Sequence, residues 1–147
     1  MANEPLIVSW QLLRAAAQLV EGIQNGVLAD GFADVRPVHG YALARISTGD
    51  ATVTDVAEHL GVTKQAASQL VEHLVQRGYV NREPHPDDGR AWLLTLSPQG
   101  RACTRAAERA AAAVVARWRE EMGAKDFAAL YRGLGKVVSP GTVRPPW

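Results

Sequence analysis

One cysteine, two phenylalanines, two methionines and a net charge of only +1 are what this 147-residue chain has least of. With Cys103 alone, no disulfide can close within the chain and no cysteine-based metal site can form. The histidines do not make up the deficit. His39, His59, His73 and His85 never fall three or four apart on one helix, and neither Glu58-His59 nor Glu72-His73 has the second histidine of a zinc-binding helix. No metal is expected. No Ser/His/Asp assembly, phosphate loop or GxGxxG pattern is recognisable, so no catalytic residue and no cofactor is expected either. No apolar run approaches the roughly 18 residues that span a bilayer, which argues against a membrane partner. Glu4 stands where a signal peptide would carry positive charge, so a cytoplasmic protein is the expectation. A near-neutral total gives no support to nucleic acid as a partner; any basic surface must be concentrated locally.

What is present is helical periodicity. Leu6, Trp10, Leu13, Ala17, Val20 and Gln24 recur at intervals of three and four, and Val27 and Leu28 close a stripe that runs from Pro5 to about Ala29. Gly31 breaks it. Pro37 suits the first position of a second helix reaching about Ser47, with Val38, Tyr41, Ala42 and Ile46 on its apolar side. Thr52 and Asp55 form a capping box that opens a third helix, Val53 to Leu60, stopped by Gly61. A fourth starts with Thr63 as its cap and ends near Arg77, where Gly78 supplies a left-handed stop. The pattern then changes: Tyr79–Glu83 and Ala91–Leu96 read as two short strands joined by a turn cluster dense in Pro, Asp and Gly. Ser97-Pro98 restarts a helix that runs to about Met122, Gly123 interrupts it, and Lys125–Val138 forms the last. The tail, 139–147, holds three prolines and is not expected to be helical.

The order is four helices, a hairpin and two helices, and its informative stretch is Thr52 to Leu96. Two short helices separated by Gly61-Val62 must cross steeply, and Ala57 is the small residue that permits the crossing. Val56, Leu60, Val62, Ala67 and Leu70 are the set that would fill the angle between them. On a wheel of about 100° per residue, Ala66, Ala67, Leu70 and Leu74 face inward, while Gln65, Ser68, Gln69 and Glu72 face out with Lys64 on the flank. Glutamine can bond adenine twice, serine can donate or accept, and lysine can reach guanine or phosphate. The free N–H groups at the start of the helix, at Thr63, point toward phosphate. Behind this pair, Asp88-Gly89-Arg90 lies at the hairpin tip, where arginine on a thin ribbon fits a narrow minor groove and Asp88 can orient it. Arg77 and Arg82 join Lys64 as candidate phosphate contacts. The plain alternative is a solvated helix face and a soluble turn; a capped helix pair backed by a hairpin weighs against it.

The chain from Thr52 to Gly100 resembles the MarR family of bacterial regulators. The resemblance is carried by the helix start Thr63-Lys-Gln-Ala-Ala-Ser68, by Leu74-Val-Gln-Arg-Gly-Tyr-Val80, by the wing Pro86-Asp-Asp-Gly-Arg90, and by Leu94-Thr-Leu-Ser-Pro-Gln-Gly100. Leu96-Ser97 stands where that family usually has Leu-Thr. The resemblance implies a mainly α winged helix–turn–helix, a homodimer made by the interlocking first and last helices, and double-stranded DNA carrying a pseudo-palindromic operator as partner. It also implies release of the DNA by a small ligand or oxidant, the ligands of the family often being phenolic or aromatic acids. The dimer has a physical basis as well: the stripes of the outer helices are more apolar surface than a small winged domain can cover. The expected division is 1–34 and 97–138 for dimerisation, 35–96 for DNA binding, and 139–147 as a tail.

Weaker signals remain. Trp10, Tyr41, Trp92 and Trp118, with His39 and Arg45, are candidates to line a ligand cavity, of which Trp10 and His39 are retained; aromatics at helical spacing are more often core. Cys103 lies in the first turns of the fifth helix, where a thiol pKa can be lowered, although packing is the commoner role. The reading that results is a transcriptional regulator, a repressor, with no catalytic activity. Its rivals are a winged protein-interaction or scaffolding module, favoured by Glu72 on the exposed helix face, and a non-catalytic domain of a larger enzyme.

Overall fold

The computed structural model describes residues 3–141. Six helices and one two-stranded sheet follow in the order α1 Glu4–Ala29, α2 Pro37–Ser47, α3 Val53–Leu60, α4 Lys64–Gln76, β1 Val80–Pro84, β2 Trp92–Leu96, α5 Pro98–Met122 and α6 Ala124–Val137. No helix among the described residues is long and apolar enough to cross a membrane. Ser139–Gly141 is not helical, and the remainder of the 139–147 tail lies outside the described residues.

The elements fall into two compact units. The first holds the chain up to Ala33 together with Ala106–Val137. Here α1 and α5 pass so closely that a Cβ added at Gly22 would meet Val114 Cγ2 at 2.5 Å, and one at Gly26 would meet the Ala110 Cβ at 2.4 Å. Arg109 of α5 donates to the Asp30 carboxylate at 2.6 Å beside this crossing. The first half of α1 is left uncovered: Leu6, Ile7, Trp10 and Leu13 are each more than half exposed, and α6 buries no residue at all.

The second unit, Asp34–Arg105 with Val138–Gly141 of the described residues, contains most of the buried side chains. Ala42, Leu43 and Ile46 of α2, Val56, Ala57 and Leu60 of α3, Ala67, Val71 and Leu74 of α4, and Leu94 of β2 are all buried. The hairpin is antiparallel in the register Val80↔Leu96 to Pro84↔Trp92, and Ala51 bridges to Leu94 on its other side. The first turns of α5 belong to this unit and are locked to the hairpin. Ser97 donates its N–H to the Tyr79 carbonyl at 3.0 Å and its hydroxyl to the Gly78 carbonyl at 2.5 Å, and its Oγ caps the Gly100 N–H at 3.0 Å.

Two expectations about packing need correction. Ala66 is exposed, and Val71 takes the inward place it was expected to fill. The buried arc of α4 is centred on Ala67, Val71 and Leu74, so Leu70 sits at its edge and Ala66 about 100° away. Val62 is 41% exposed rather than wedged between helices: its N–H is spent closing the turn on the Ala57 carbonyl at 3.0 Å behind the left-handed Gly61.

Candidate nucleic-acid interface

The geometry of the α3–α4 turn explains how α4 packs one face on the core and keeps the other exposed. Thr52 Oγ1 accepts the Asp55 N–H at 3.3 Å while Asp55 Oδ2 accepts the Thr52 N–H at 2.7 Å, so the start of α3 is closed by its own side chains. At the other end Gly61 adopts φ +64°, and the N–H groups of Gly61 and Val62 return to the carbonyls of Glu58 and Ala57 at 3.2 and 3.0 Å. That left-handed residue satisfies two terminal carbonyls and reverses the chain in two residues. Thr63 then caps α4 by accepting the Ala66 N–H at 3.1 Å. The N–H groups of Lys64 and Gln65 remain as donors at the positive end of the helix dipole.

With Ala67, Val71 and Leu74 inward, the outer face of α4 presents Lys64, Gln65, Ser68 and Gln69, all exposed. No hydrogen bond or ion pair engages these four side chains among the described residues. Their donors and acceptors are unspent.

Glu72 differs. Its Oε2 accepts from the Arg82 guanidinium at 2.5 Å and its Oε1 accepts from Gln76 Nε2 at 3.2 Å, so the part-exposed acid of the recognition-type helix is tied to strand β1. Arg77 has its Nε 4.0 Å from the Asp34 carboxylate and is otherwise exposed. Arg82 and Arg77 therefore meet carboxylates within the chain, whereas among the described residues Lys64 and Arg90 do not.

The wing tip, residues 85–91, is shaped by backbone bonds. His85 Nδ1 accepts the Asp87 N–H at 3.1 Å, Asp88 Oδ1 accepts the Arg90 N–H at 3.0 Å, and the Asp88 carbonyl accepts the Ala91 N–H at 3.1 Å. Asp88 was expected to hold the Arg90 side chain; it holds the Arg90 backbone instead. The effect is to fix the turn, while the exposed Arg90 guanidinium meets no hydrogen-bond or ion-pair partner among the described residues. Trp92, just behind Arg90, is 54% exposed.

A network that sequence reasoning missed lies behind the last turn of α4. The Tyr79 hydroxyl donates to Asp34 Oδ1 at 2.7 Å, which holds the Asp34 carboxyl below its usual range, while burial and this acceptor push the Tyr79 phenol up to about 12. His39 and His73 stack with ring centroids 4.8 Å apart, and His39 Nδ1 accepts the Arg36 N–H at 2.8 Å as part of the α2 cap. Burial, then the neighbouring His73, lowers the His39 pKa. His39 thus has a structural engagement within the second unit, whereas Trp10 belongs to the first. Cys103 is buried, and burial pushes its thiol up to about 11, opposite to the direction that the helix start suggested. Among the described residues no three His, Cys, Asp or Glu side chains are placed to hold a metal.

Residues 33–91 match the model of the MarR family. Among solved structures, the chain resembles a probable transcriptional regulator from Pseudomonas aeruginosa, at 26% identity over 89% of this chain and 96% of that one, with a TM-score of 0.67. It resembles a mutant MarR from E. coli in complex with operator DNA at 20% identity over 95% and 99%, with a TM-score of 0.73. CouR from Rhodococcus jostii RHA1 bound to p-coumaroyl-CoA matches at 20% identity over 92% and 94%, with a TM-score of 0.69. No curated protein matches the chain by sequence.

Proposed function

We propose that this chain is a MarR-family winged-helix protein, a sequence-specific DNA-binding transcriptional regulator that works as a homodimer on a pseudo-palindromic operator. One observation carries the reading: Lys64, Gln65, Ser68 and Gln69 form an exposed, unengaged polar stripe on α4, flanked by a wing whose Arg90 is equally unengaged. Gln65 and Gln69 have the donor–acceptor pair that matches an adenine edge, and Ser68 adapts to either neighbour. Thr63 and Lys64, with the N–H groups of the helix start, receive phosphate. Arg90 enters the minor groove beside them, where the potential is most negative.

The dimer is supported by the uncovered apolar side chains of the first unit. Leu6, Ile7, Trp10 and Leu13 on α1, with Tyr131 and Val137 on α6, are each more than half exposed. A second copy covering them with its own termini would remove that apolar area from water, and a two-fold axis would place two α4 helices about one duplex turn apart. Residues 1–34 and 97–138 then serve dimerisation and 35–96 DNA binding, in the cytoplasm and without catalysis. The finer part of the reading is repression relieved by a small aromatic or phenolic ligand; CouR, solved with p-coumaroyl-CoA, is the supporting relative.

The test is selection of bound duplexes followed by substitution. Arg90→Ala is expected to weaken all duplexes alike, and Gln65→Ala to relax or change the preferred base at one position in each half-site by about 1–3 kcal/mol. If neither changes binding, these residues do not form the interface.

A further inference from the structure

We infer that Glu72 is a specificity-determining residue that acts through Arg82: it holds the Arg82 guanidinium on the outer face of α4 and withholds it from the DNA backbone, so that sequence-independent binding is suppressed. The inference rests on the DNA-binding reading above. On the helix wheel Gln65, Ser68, Gln69, Glu72 and Gln76 lie within one arc of about 100°, so Glu72 stands in the same stripe as the base-reading candidates. It is two turns, about 10 Å, along the helix from Gln65. Arg82 comes from β1, ten residues away in sequence, and reaches this stripe by donating to Glu72 Oε2 at 2.5 Å. The second carboxylate oxygen is occupied by Gln76 at 3.2 Å, which fixes the rotamer of the acid. Two engaged oxygens make Glu72 a preset acceptor rather than a passing contact.

The position matters because affinity for arbitrary duplex is set by how many phosphates are neutralised, each adding about 0.9 to the dependence of log K on log salt. On α4 and the wing the cations are few: among the described residues Lys64 and Arg90 meet no carboxylate, Arg77 faces Asp34, and Asp87 and Asp88 sit at the wing tip. Releasing Arg82 would add a phosphate contact to that short set. Both members of the pair are part-exposed, with side chains 33% and 46% accessible, and such a pair shifts an equilibrium by no more than about fivefold. The restraint is therefore small for any one duplex, where the pair stays closed on the docked operator, and large enough to matter against a genome of weak sites. It also explains an acid on a face otherwise suited to DNA, which as a lone charge would only repel phosphate.

The experiment compares the full chain with Glu72→Gln, Glu72→Asp, Arg82→Ala and the double variant Glu72→Gln/Arg82→Ala. Each is titrated by fluorescence anisotropy against a random-sequence duplex and the selected operator from 50 to 300 mM salt, after thermal melts confirm folding. Glu72→Gln is expected to raise affinity for the random duplex by about two- to fivefold and to steepen the salt slope by about 0.9 per protomer. The operator gains less, so the specificity ratio falls. Glu72→Asp keeps the wild-type slope, and the effect of Glu72→Gln disappears when Arg82 is alanine. An unchanged slope and affinity in Glu72→Gln, with wild type binding DNA normally, overturns the inference alone. So does an effect that persists undiminished in the Arg82→Ala background, since Glu72 would then act by its own charge. Wild type failing to bind any duplex overturns this inference together with the DNA-binding reading.

Discussion

Replacing Gly100 by alanine tests the joint between the hairpin and α5. A Cβ on residue 100 would lie 2.1 Å from the Tyr79 carbonyl oxygen and 3.1 Å from its carbon, whereas carbon–oxygen contacts normally close at about 3.3 Å. The obstacle is backbone, so no rotamer change relieves it; the start of α5 must withdraw by roughly 1 Å. That withdrawal strains the Ser97 N–H bond to Tyr79 and the Ser97 hydroxyl bond to Gly78, which hold this turn. Overpacking costs about 1–3 kcal/mol and each weakened bond about 1, while alanine recovers about 1 from helix propensity. The net is destabilisation by about 2–4 kcal/mol, or roughly 6–13 °C in melting temperature for a chain of this size. The assay is thermal unfolding by circular dichroism at one fixed protein concentration, because a dimer melts concentration-dependently. Gly40→Ala in α2, where an added Cβ meets nothing within 4 Å, is the matched control and is expected to stabilise by about 0.5–1 kcal/mol. Gly100→Ala melting at or above wild type would refute the packing described for this joint.

Three further outcomes follow from the same structure. Thr52→Ala removes the reciprocal cap of α3 and is expected to cost about 1 kcal/mol, read as a lower denaturant midpoint with an unchanged m-value. Cys103, with its folded thiol pushed up to about 11 from 9.0, ionises first in the unfolded chain, so its contribution to stability is intact below pH 9 and is lost as pH rises toward 11. Cys103→Ala should flatten that alkaline loss, and the native thiol should react with a disulfide reagent far more slowly than the unfolded one. Leu13→Asp, on the exposed stripe of α1, should halve the solution mass measured by light scattering while leaving the far-ultraviolet spectrum of the protomer intact; an unchanged mass would place the dimer contact elsewhere.

The local grammar of the chain was readable because its signals act over three or four residues. Thr52 with Asp55, Gly61, Thr63, Gly78 and Ser97-Pro98 each fix a helix end through a bond to a near neighbour, and the elements begin and end within a residue or two of where those signals stand. The wheel of α4 was misjudged by one position because Ala66 and Val71 are both small and apolar, and only contact with α3 and β1 decides which turns inward. Pairs distant in sequence were not legible. Tyr79 finds Asp34 45 residues away, and Arg82 finds Glu72 only because the hairpin folds back along α4. Glu72 therefore read as a free acid inviting a protein partner, when in the folded chain it is engaged. Asp88 was placed at the right turn but on the wrong atom, since an Asp two residues before an arginine meets that residue's N–H more readily than its distant guanidinium.

The most direct test of the central claim, two copies of α4 in successive major grooves, is a change of spacing in the selected operator. Inserting five base pairs between its half-sites turns them to opposite faces of the duplex, about half of the 10–10.5 base-pair turn. The account predicts that affinity falls to the level of random duplex and returns in part when ten are inserted. Equal binding to the native and the five-base-pair-spaced sites would contradict it.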